Sequence, residues 1–169
     1  MIRSRASREK AISILQMYGI KEPPIDVHRI AKLLGIDVEK FDFPKSVPAT
    51  SQTAGSGKQI IGVNENDPEY RQRFSIAHEL GHYLNGHENY THERVVTDPT
   101  KRYMDPHFRQ EEEADEFAAE LLMPEFMLKQ DTMVKHMDIP ELAKRYSVSE
   151  QAMTIQLINH KLVAGQGRY

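Results

Sequence analysis

Two histidines and a glutamate near the middle of the chain have the residue types and the spacing of a metal-binding motif. His78 and His82 are four residues apart and Glu79 lies between them, in the pattern H-E-x-x-H. On a helix, residues four apart lie about 40° apart around the axis and one turn along it, so both imidazoles can bind one ion. Glu79 is turned by about 100° from His78, which places it beside the ion and suits a base that acts on a metal-bound water.

The helix that carries this motif is predicted over about 67–84, because Asp67-Pro68 is a typical start and Asn85-Gly86 a typical end. Its apolar residues are expected to lie opposite the histidines and to pack on the core: Ile76, Ala77, Leu80, Tyr83 and Leu84. Gly81 has no side chain, so another element can approach the helix there.

A catalytic zinc site usually takes three protein ligands and a water, so a third ligand must come from elsewhere. On a helix predicted over about 109–122, the apolar arc consists of Ala114, Phe117, Ala118, Leu121 and Leu122. Glu111 and Asp115 lie inside this arc or at its edge. The other acids are expected on the opposite side: Glu112, Glu113, Glu116 and Glu120. A buried carboxylate needs a partner, which a metal ion would supply for Glu111 and a ligating imidazole for Asp115.

Other histidines are alternative third ligands. His87 lies five residues after His82, but the longer H-E-x-x-H-x-x-G-x-x-H signature needs Gly at 85 and His at 88, where this chain has Asn85 and Glu88. His92 and His107 lie in a polar connection over 87–109, where surface or substrate-contacting histidines are expected. A surface helix with a histidine pair is the alternative to a metal site, and the inward-facing acids of a second helix make it less favoured.

The composition narrows the function classes. The 169 residues include no cysteine, which excludes disulfides, cysteine-ligated metals and a thiol nucleophile. The net charge of −3 provides no general basic field for nucleic acid. The basic residues near the start precede apolar residues at helical spacing, which favours an amphipathic helix over a secretion signal. No apolar run approaches the roughly 18 residues of a membrane span, so we expect a cytoplasmic protein.

Periodicity and turn residues predict the remaining elements. Helices are expected over about 5–18, 27–34, 139–146 and 149–162, strands over 36–41 and 58–63, and a loop or loose hairpin arm over 44–57. Capping boxes are predicted at Asp138 with Glu141 and at Ser147 with Glu150. Together these elements predict an α+β fold. It is a mostly helical single domain over 1–169, with a small antiparallel sheet against the H-E-x-x-H helix and a closing helical pair over about 137–163.

Two segments of the chain resemble the ImmA/IrrE metallopeptidases, a minimal gluzincin group of zinc peptidases. The segments are RFSIAHELGHYL and, further along, EEEADEFAAELLMP. The resemblance extends to the opening helix with its following Pro-Pro and Asp, the strand IIGVN and the late turn at Val148 and Ser149, so it covers most of the chain. It implies a minimal zincin-like fold and one zinc ion per chain. The zinc would be held by His78, His82 and Glu111, with Asp115 where the family carries Asn or Asp.

The resemblance also implies a mechanism and a partner. Zinc would activate a water molecule, and Glu79 would take its proton and pass it to the leaving amine. A donor from the 87–107 connection would stabilise the oxyanion, and the unranked candidates are Tyr90, His92, Tyr103 and His107. If the strand over 59–63 is an exposed edge, it can pair with an extended substrate. Family members typically cleave a cytoplasmic helix-turn-helix repressor, so a repressor encoded nearby is the expected substrate.

Two other function classes compete with a peptidase. The closing helices could form a helix-turn-helix that binds nucleic acid, but little positive charge lies on the second helix. Their apolar residues account for an ordinary core face: Ile139, Leu142, Ala143, Tyr146, Val148, Ala152, Ile155 and Ile158. The chain could also be an idle zinc-binding scaffold that only binds its partner, as an antitoxin or a sensor does, although the intact Glu79 argues against it. Two imidazoles and one carboxylate favour zinc over manganese.

Overall fold

The sheet of this protein is small and mixed. A computed structural model describes residues 5–87 and 106–163, and its sheet has the order β1-β3-β2. The strands are β1 (Asp37–Phe41), β2 (Ala49–Thr53) and β3 (Gln59–Asn64). β1 runs parallel to β3, and β2 runs antiparallel to it. The prediction of an antiparallel sheet is therefore wrong, because the chain passes from β1 to the far edge, forms β2 there and turns back into the middle as β3.

β3 is bonded on both sides, with Ile61 opposite Val38 of β1 and Ser51 of β2. The strand over 59–63 is therefore not an exposed edge, which was the condition for its pairing with an extended substrate. The segment predicted as a loop or loose hairpin arm contains β2. Gly57, with a φ of +82°, lies in the turn that leads from β2 into β3, and a glycine adopts this left-handed conformation without strain.

Helices make up most of the described chain and confirm the predicted mostly helical α+β class. They are α1 (Arg5–Met17), α2 (Val27–Leu33), α3 (Glu69–Asn85), α4 (Pro106–Leu122), α5 (Glu125–Lys129), α6 (Ile139–Tyr146) and α7 (Glu150–Asn159), with a π-helical turn at Gln130–Val134. Neither α5 nor the π-helical turn is predicted from the sequence. In the part of the chain that the structure describes, none of these helices has the length and the apolar character to span a membrane.

The helix ends follow local hydrogen bonding. The Asp138 side chain accepts from the Glu141 N–H at 2.9 Å and Glu141 bonds back, so this capping box is confirmed. The second predicted box is wrong, because Ser147 ends α6 with a left-handed φ of 53°. Ser149 caps α7 instead and accepts from the Ala152 N–H at 3.1 Å. The chain must reverse between the two helices, and the left-handed residue makes that reversal.

α3 lies at the centre of the molecule and packs against α4, α1, α2 and the sheet. Ile76, Ala77 and Leu80 are fully buried, as the helical periodicity predicts. Burial of each large aliphatic side chain contributes about 1.5–3 kcal/mol. Tyr83, which was expected on the same face, is 44% exposed.

α7 buries a different face from the one predicted. Its buried residues are Met153, Gln156 and Leu157, whereas Ile155 and Ile158 are more than half exposed. Gln156 lies inward because its side-chain amide donates to the Met123 carbonyl at 3.2 Å. A polar side chain with this bond can occupy a core position, so the helix is turned away from the face that apolar residues alone indicate.

Candidate metal centre

α3 directs two imidazoles toward one point. His78 Nε2 and His82 Nε2 are 3.0 Å apart, as the spacing of four residues on a regular helix allows. Glu79 is 1% exposed and His82 is fully buried. The histidine side of α3 is thus enclosed as well, and this helix does not divide into a core face and an open histidine face.

α4 supplies a carboxylate that reaches both rings. Glu111 Oε2 lies 3.3 Å from His78 Nε2, and Glu111 Oε1 lies 3.2 Å from His82 Nε2. In the described residues, these three side chains form the group of potential ligands whose donor atoms all lie within 4.8 Å of one another. The structure therefore brings together the three residues that helix geometry and the family resemblance singled out, from two helices far apart in sequence.

The close approach of the two helices depends on Gly81. A Cβ at position 81 would lie 3.0 Å from the Ala114 carbonyl oxygen and 3.1 Å from Ala114 Cα and Phe117 Cβ. Two of these contacts are with backbone atoms, which do not move aside as a flexible side chain would. Glycine lets the backbones of α3 and α4 meet here, one turn from His78 and Glu111.

Asp115 orients the ring of His78. Its Oδ1 accepts a hydrogen bond from His78 Nδ1 at 2.8 Å. A carboxylate can only accept, so His78 carries a hydrogen on Nδ1, and its Nε2 is the ring atom that faces the centre. The expected contact is present, but the Asp115 side chain is 56% exposed. The burial argument that selected Asp115 is therefore wrong, even though the residue lies where it was expected.

The arrangement fits a tetrahedral divalent ion. Zn–N and Zn–O distances of about 2.0–2.1 Å place the ligand atoms of a tetrahedron about 3.3 Å apart. The two Nε2 atoms are 3.0 Å apart, and they lie 3.2 and 3.3 Å from different oxygens of the Glu111 carboxylate. His78 Nε2 faces a Glu111 oxygen at 3.3 Å, and a divalent cation would take the place of the hydrogen between these two atoms. His78, His82 and Glu111 could therefore hold a metal ion and leave one position open.

The electrostatics favour positive charge at this point. Burial lowers the pKa of His78, but hydrogen bonds to Asp115 and Glu111 outweigh it and raise the pKa to about 10. Burial raises the pKa of Glu111, but hydrogen bonds from His78 and His82 hold that pKa far below its usual value. For His82, burial dominates and lowers the pKa. The centre thus combines a strongly ionised carboxylate with a protonated His78 and a neutral His82, and a metal ion would bind there with release of the His78 proton.

The other predicted site residues are not brought to this centre by any described contact. His107 is exposed on the first turn of α4. Tyr90, His92 and Tyr103 lie outside the described residues. The choice of an oxyanion donor among these four residues therefore stays a prediction.

Sequence reasoning missed two residues that lie behind His82. His87 Nδ1 is 2.9 Å from His82 Nδ1, and His87 Nε2 is 2.9 Å from Glu113 Oε2. His87 was set aside with the unmatched longer signature, and Glu113 was placed on the opposite side of α4. The signal that could have found His87 is Gly86, whose φ of 68° ends α3 and folds the next residue back onto the last helical turn.

Glu120 was also expected on the side of α4 opposite the apolar arc, and this prediction is wrong. It is 1% exposed, and its Oε2 lies 3.0 Å from His160 Nε2 and 3.5 Å from Arg8 Nε. Arg8 lies on α1, and His160 directly follows α7. The helix wheel failed here because α4 is covered on more than one side, so its acidic side is also enclosed.

Comparison with known proteins identifies the family of the chain. The model of the IrrE N-terminal-like domain, a peptidase family, matches residues 31–157. The chain belongs to this family. The resemblance stated from the sequence is thereby confirmed, and membership of the IrrE N-terminal-like family supports a metallopeptidase-like function.

Two relatives of this IrrE-like protein give the extent of the similarity. Metallopeptidase ImmA of Bacillus subtilis (strain 168) is 23% identical over 176 residues, which cover 95% of each chain. A Mycobacterium tuberculosis transcriptional regulator of known structure matches with a TM-score of 0.64 and 16% identity. That match covers 96% of this chain and 48% of the regulator, so this chain spans about half the length of the regulator, and the likeness shows the fold.

Proposed function

We propose that this IrrE-like chain is one zinc-dependent endopeptidase domain that acts on a cytoplasmic protein. The observation that carries the proposal is the convergence of His78, His82 and Glu111, whose donor atoms lie 3.0–3.3 Å apart. Two imidazole nitrogens and one carboxylate are a ligand set that favours zinc. The match to a peptidase family supports the reaction class.

Glu79 is the proposed general base of this reaction. Bound zinc would supply a Lewis acid that acidifies a water molecule and polarises the scissile carbonyl. Glu79 follows the ligand His78 on α3 and is 1% exposed, so it lies beside the centre and away from bulk water. It accepts a proton from the attacking water and delivers it to the amide nitrogen as the C–N bond breaks.

Replacement of this base separates metal binding from hydrolysis. We expect Glu79→Gln to keep one zinc ion per chain and to lose hydrolysis by about 10²–10⁴-fold, because the amide is no base. Glu39→Gln, which changes an exposed glutamate on β1, is the matched control and should retain full activity. Elemental analysis gives the zinc content, and mass spectrometry of the products gives the rate. A fully active Glu79→Gln enzyme contradicts the assignment.

The proposed substrate is a helix-turn-helix repressor. The ImmA/IrrE resemblance supports it, and the regulator with the same fold, of which this chain spans about half, is described as a transcriptional regulator. The test is co-expression of the chain with the repressor encoded next to its gene, followed by mass spectrometry of the fragments. Fragments that appear with the wild type and not with Glu79→Gln support the substrate. An intact repressor that remains bound to the zinc-loaded wild type supports the idle scaffold instead.

A further inference from the structure

A line of three side chains runs behind His82, on the side of the ring that faces away from the metal centre. His82 Nδ1 is 2.9 Å from His87 Nδ1, and His87 Nε2 is 2.9 Å from Glu113 Oε2. The His82 side chain is fully buried, and those of His87 and Glu113 are 6% and 19% exposed. Solvent therefore has little access to these hydrogen bonds, and each hydrogen has a defined place.

The hydrogen bond to Glu113 determines which nitrogen of His87 carries a hydrogen, and His87 in turn favours one tautomer of His82. The Glu113 carboxylate only accepts, so His87 carries a hydrogen on Nε2. With this hydrogen bonded to Glu113, His87 Nδ1 is the atom that can accept from His82 Nδ1–H. Neutral His82 consequently has its lone pair on Nε2, which is the atom that faces His78 and Glu111. The opposite arrangement, with a cationic His87 that donates to His82, would put a hydrogen on Nε2 and block a metal.

Local structure holds His87 and Glu113 in this line. The His87 N–H donates to the His82 carbonyl at 3.1 Å, because the left-handed Gly86 folds the chain back over the end of α3. The rings of His82 and His87 meet edge to face at a centroid distance of 5.1 Å. On α4, Arg109 Nε donates to Glu113 Oε1 at 3.2 Å, which leaves Oε2 for His87.

We propose that His87 and Glu113 are positioning residues for zinc, which act through His82. This proposal rests on the proposed zinc site. Both ligand histidines then end at a carboxylate: His78 reaches Asp115 directly, and His82 reaches Glu113 through a second imidazole. Such outer contacts fix the ring and raise its basicity, and their loss typically weakens metal binding by about 10–100-fold.

The test measures zinc affinity of the full chain by competition with a chromophoric chelator. We expect His87→Phe and Glu113→Gln to bind zinc at least about 10-fold more weakly than the wild type. His87→Gln, whose amide oxygen can still accept from His82 Nδ1–H, should regain part of this loss. Glu112→Gln removes the same charge one residue away and should bind within about twofold of the wild type.

A spectroscopic measurement separates positioning from a general effect on folding. In the Co²⁺-substituted wild type, the Nδ1–H of His82 should give a paramagnetically shifted, slowly exchanging proton resonance, because it is buried and bonded to His87. This resonance should be lost or exchange rapidly in His87→Phe, while the His78 resonance stays. If His87→Phe does not fold, Glu113→Gln and His87→Gln decide the question. Wild-type affinity in both overturns the proposal, whereas a wild type that binds no zinc overturns the proposed function itself.

Discussion

Two clusters of acidic and basic side chains lie in this molecule, and they differ in the groups that donate hydrogen bonds to the carboxylate. The metal centre joins His78, His82 and Glu111. The second, which we term the Asp131 cluster, joins the buried Asp131 to Lys135 Nζ at 2.6 Å, Arg145 Nε at 2.9 Å and Tyr146 OH at 2.8 Å. It ties the π-helical turn to α6, and it contains no predicted site residue.

The kind of donor distinguishes the two clusters. In the Asp131 cluster, one carboxylate meets three donors, so the protein itself satisfies the charge. In the candidate metal centre, the Glu111 carboxylate faces the Nε2 atoms of two imidazoles, and a metal ion can displace the hydrogen on His78 Nε2. A cluster whose donors keep their hydrogens at neutral pH stabilises the fold, whereas a cluster of imidazoles and a carboxylate can exchange a proton for a metal ion. The presence of a buried carboxylate alone does not tell a structural cluster from a binding site.

Removal of the acceptor at the metal centre should give the largest effect. We expect Glu111→Ala to weaken zinc binding on the order of 10³-fold, since it removes one of three ligands from a binding energy of about 10–16 kcal/mol. The unfolding free energy of the metal-free protein should change by about 1 kcal/mol or less, because the Glu111 side chain is 29% exposed and alanine favours the helix. Chelator competition and urea unfolding measure the two quantities. Zinc affinity equal to the wild type would remove Glu111 from the ligand set.

The Asp131 cluster should show the reverse pattern. Asp131→Ala leaves Arg145 and the buried Tyr146 hydroxyl without their acceptor, so we expect a loss of about 3 kcal/mol of unfolding free energy. Zinc affinity should stay within about twofold of the wild type, as it should in the exposed control Glu39→Ala. Urea unfolding of the metal-free proteins measures the loss. An Asp131→Ala protein of normal stability but weak zinc binding would reverse the comparison.

The acid dependence of stability gives the smallest and most specific effect. Burial raises the pKa of Asp131, but hydrogen bonds from Lys135, Tyr146 and Arg145 outweigh it and lower the pKa below its usual value. A carboxyl group with a lowered folded-state pKa stabilises the protein above its unfolded pKa of about 3.9, and this contribution is lost as the pH falls below that value. The difference in unfolding free energy between the wild type and Asp131→Asn should therefore be constant above about pH 5 and shrink below pH 4. A difference that grows on acidification would contradict this sign.

The sequence predicts those parts of the structure that depend on one element at a time. Helical spacing placed His78, Glu79 and His82 on one helix, and the wheel of α4 selected Glu111 from three adjacent glutamates. The same wheel failed for Glu120, because α1 and α7 cover a side of α4 that a single-helix argument assigns to solvent. Apolar periodicity predicts the main buried face of a helix, and it does not predict a second buried face.

Elements that form through distant contacts were missed for a related reason. β2 has little apolar alternation of its own, with the sequence ATSQT, and it is a strand because β3 pairs with it. His87 was missed because its position depends on the chain reversal at Gly86 and on a glutamate from another helix. Both features come from partners that no local window of the sequence contains.

The glycine contact between α3 and α4 has a consequence for protein design. A grafted H-E-x-x-H motif with its glutamate would inherit the donor atoms but not the spacing between the helix axes. Any scaffold with a larger residue in the place of Gly81 would hold its two helices further apart, and the transplanted carboxylate would stop short of the histidines. The residue with no side chain belongs to the minimal transferable unit as much as the residues that would touch the ion.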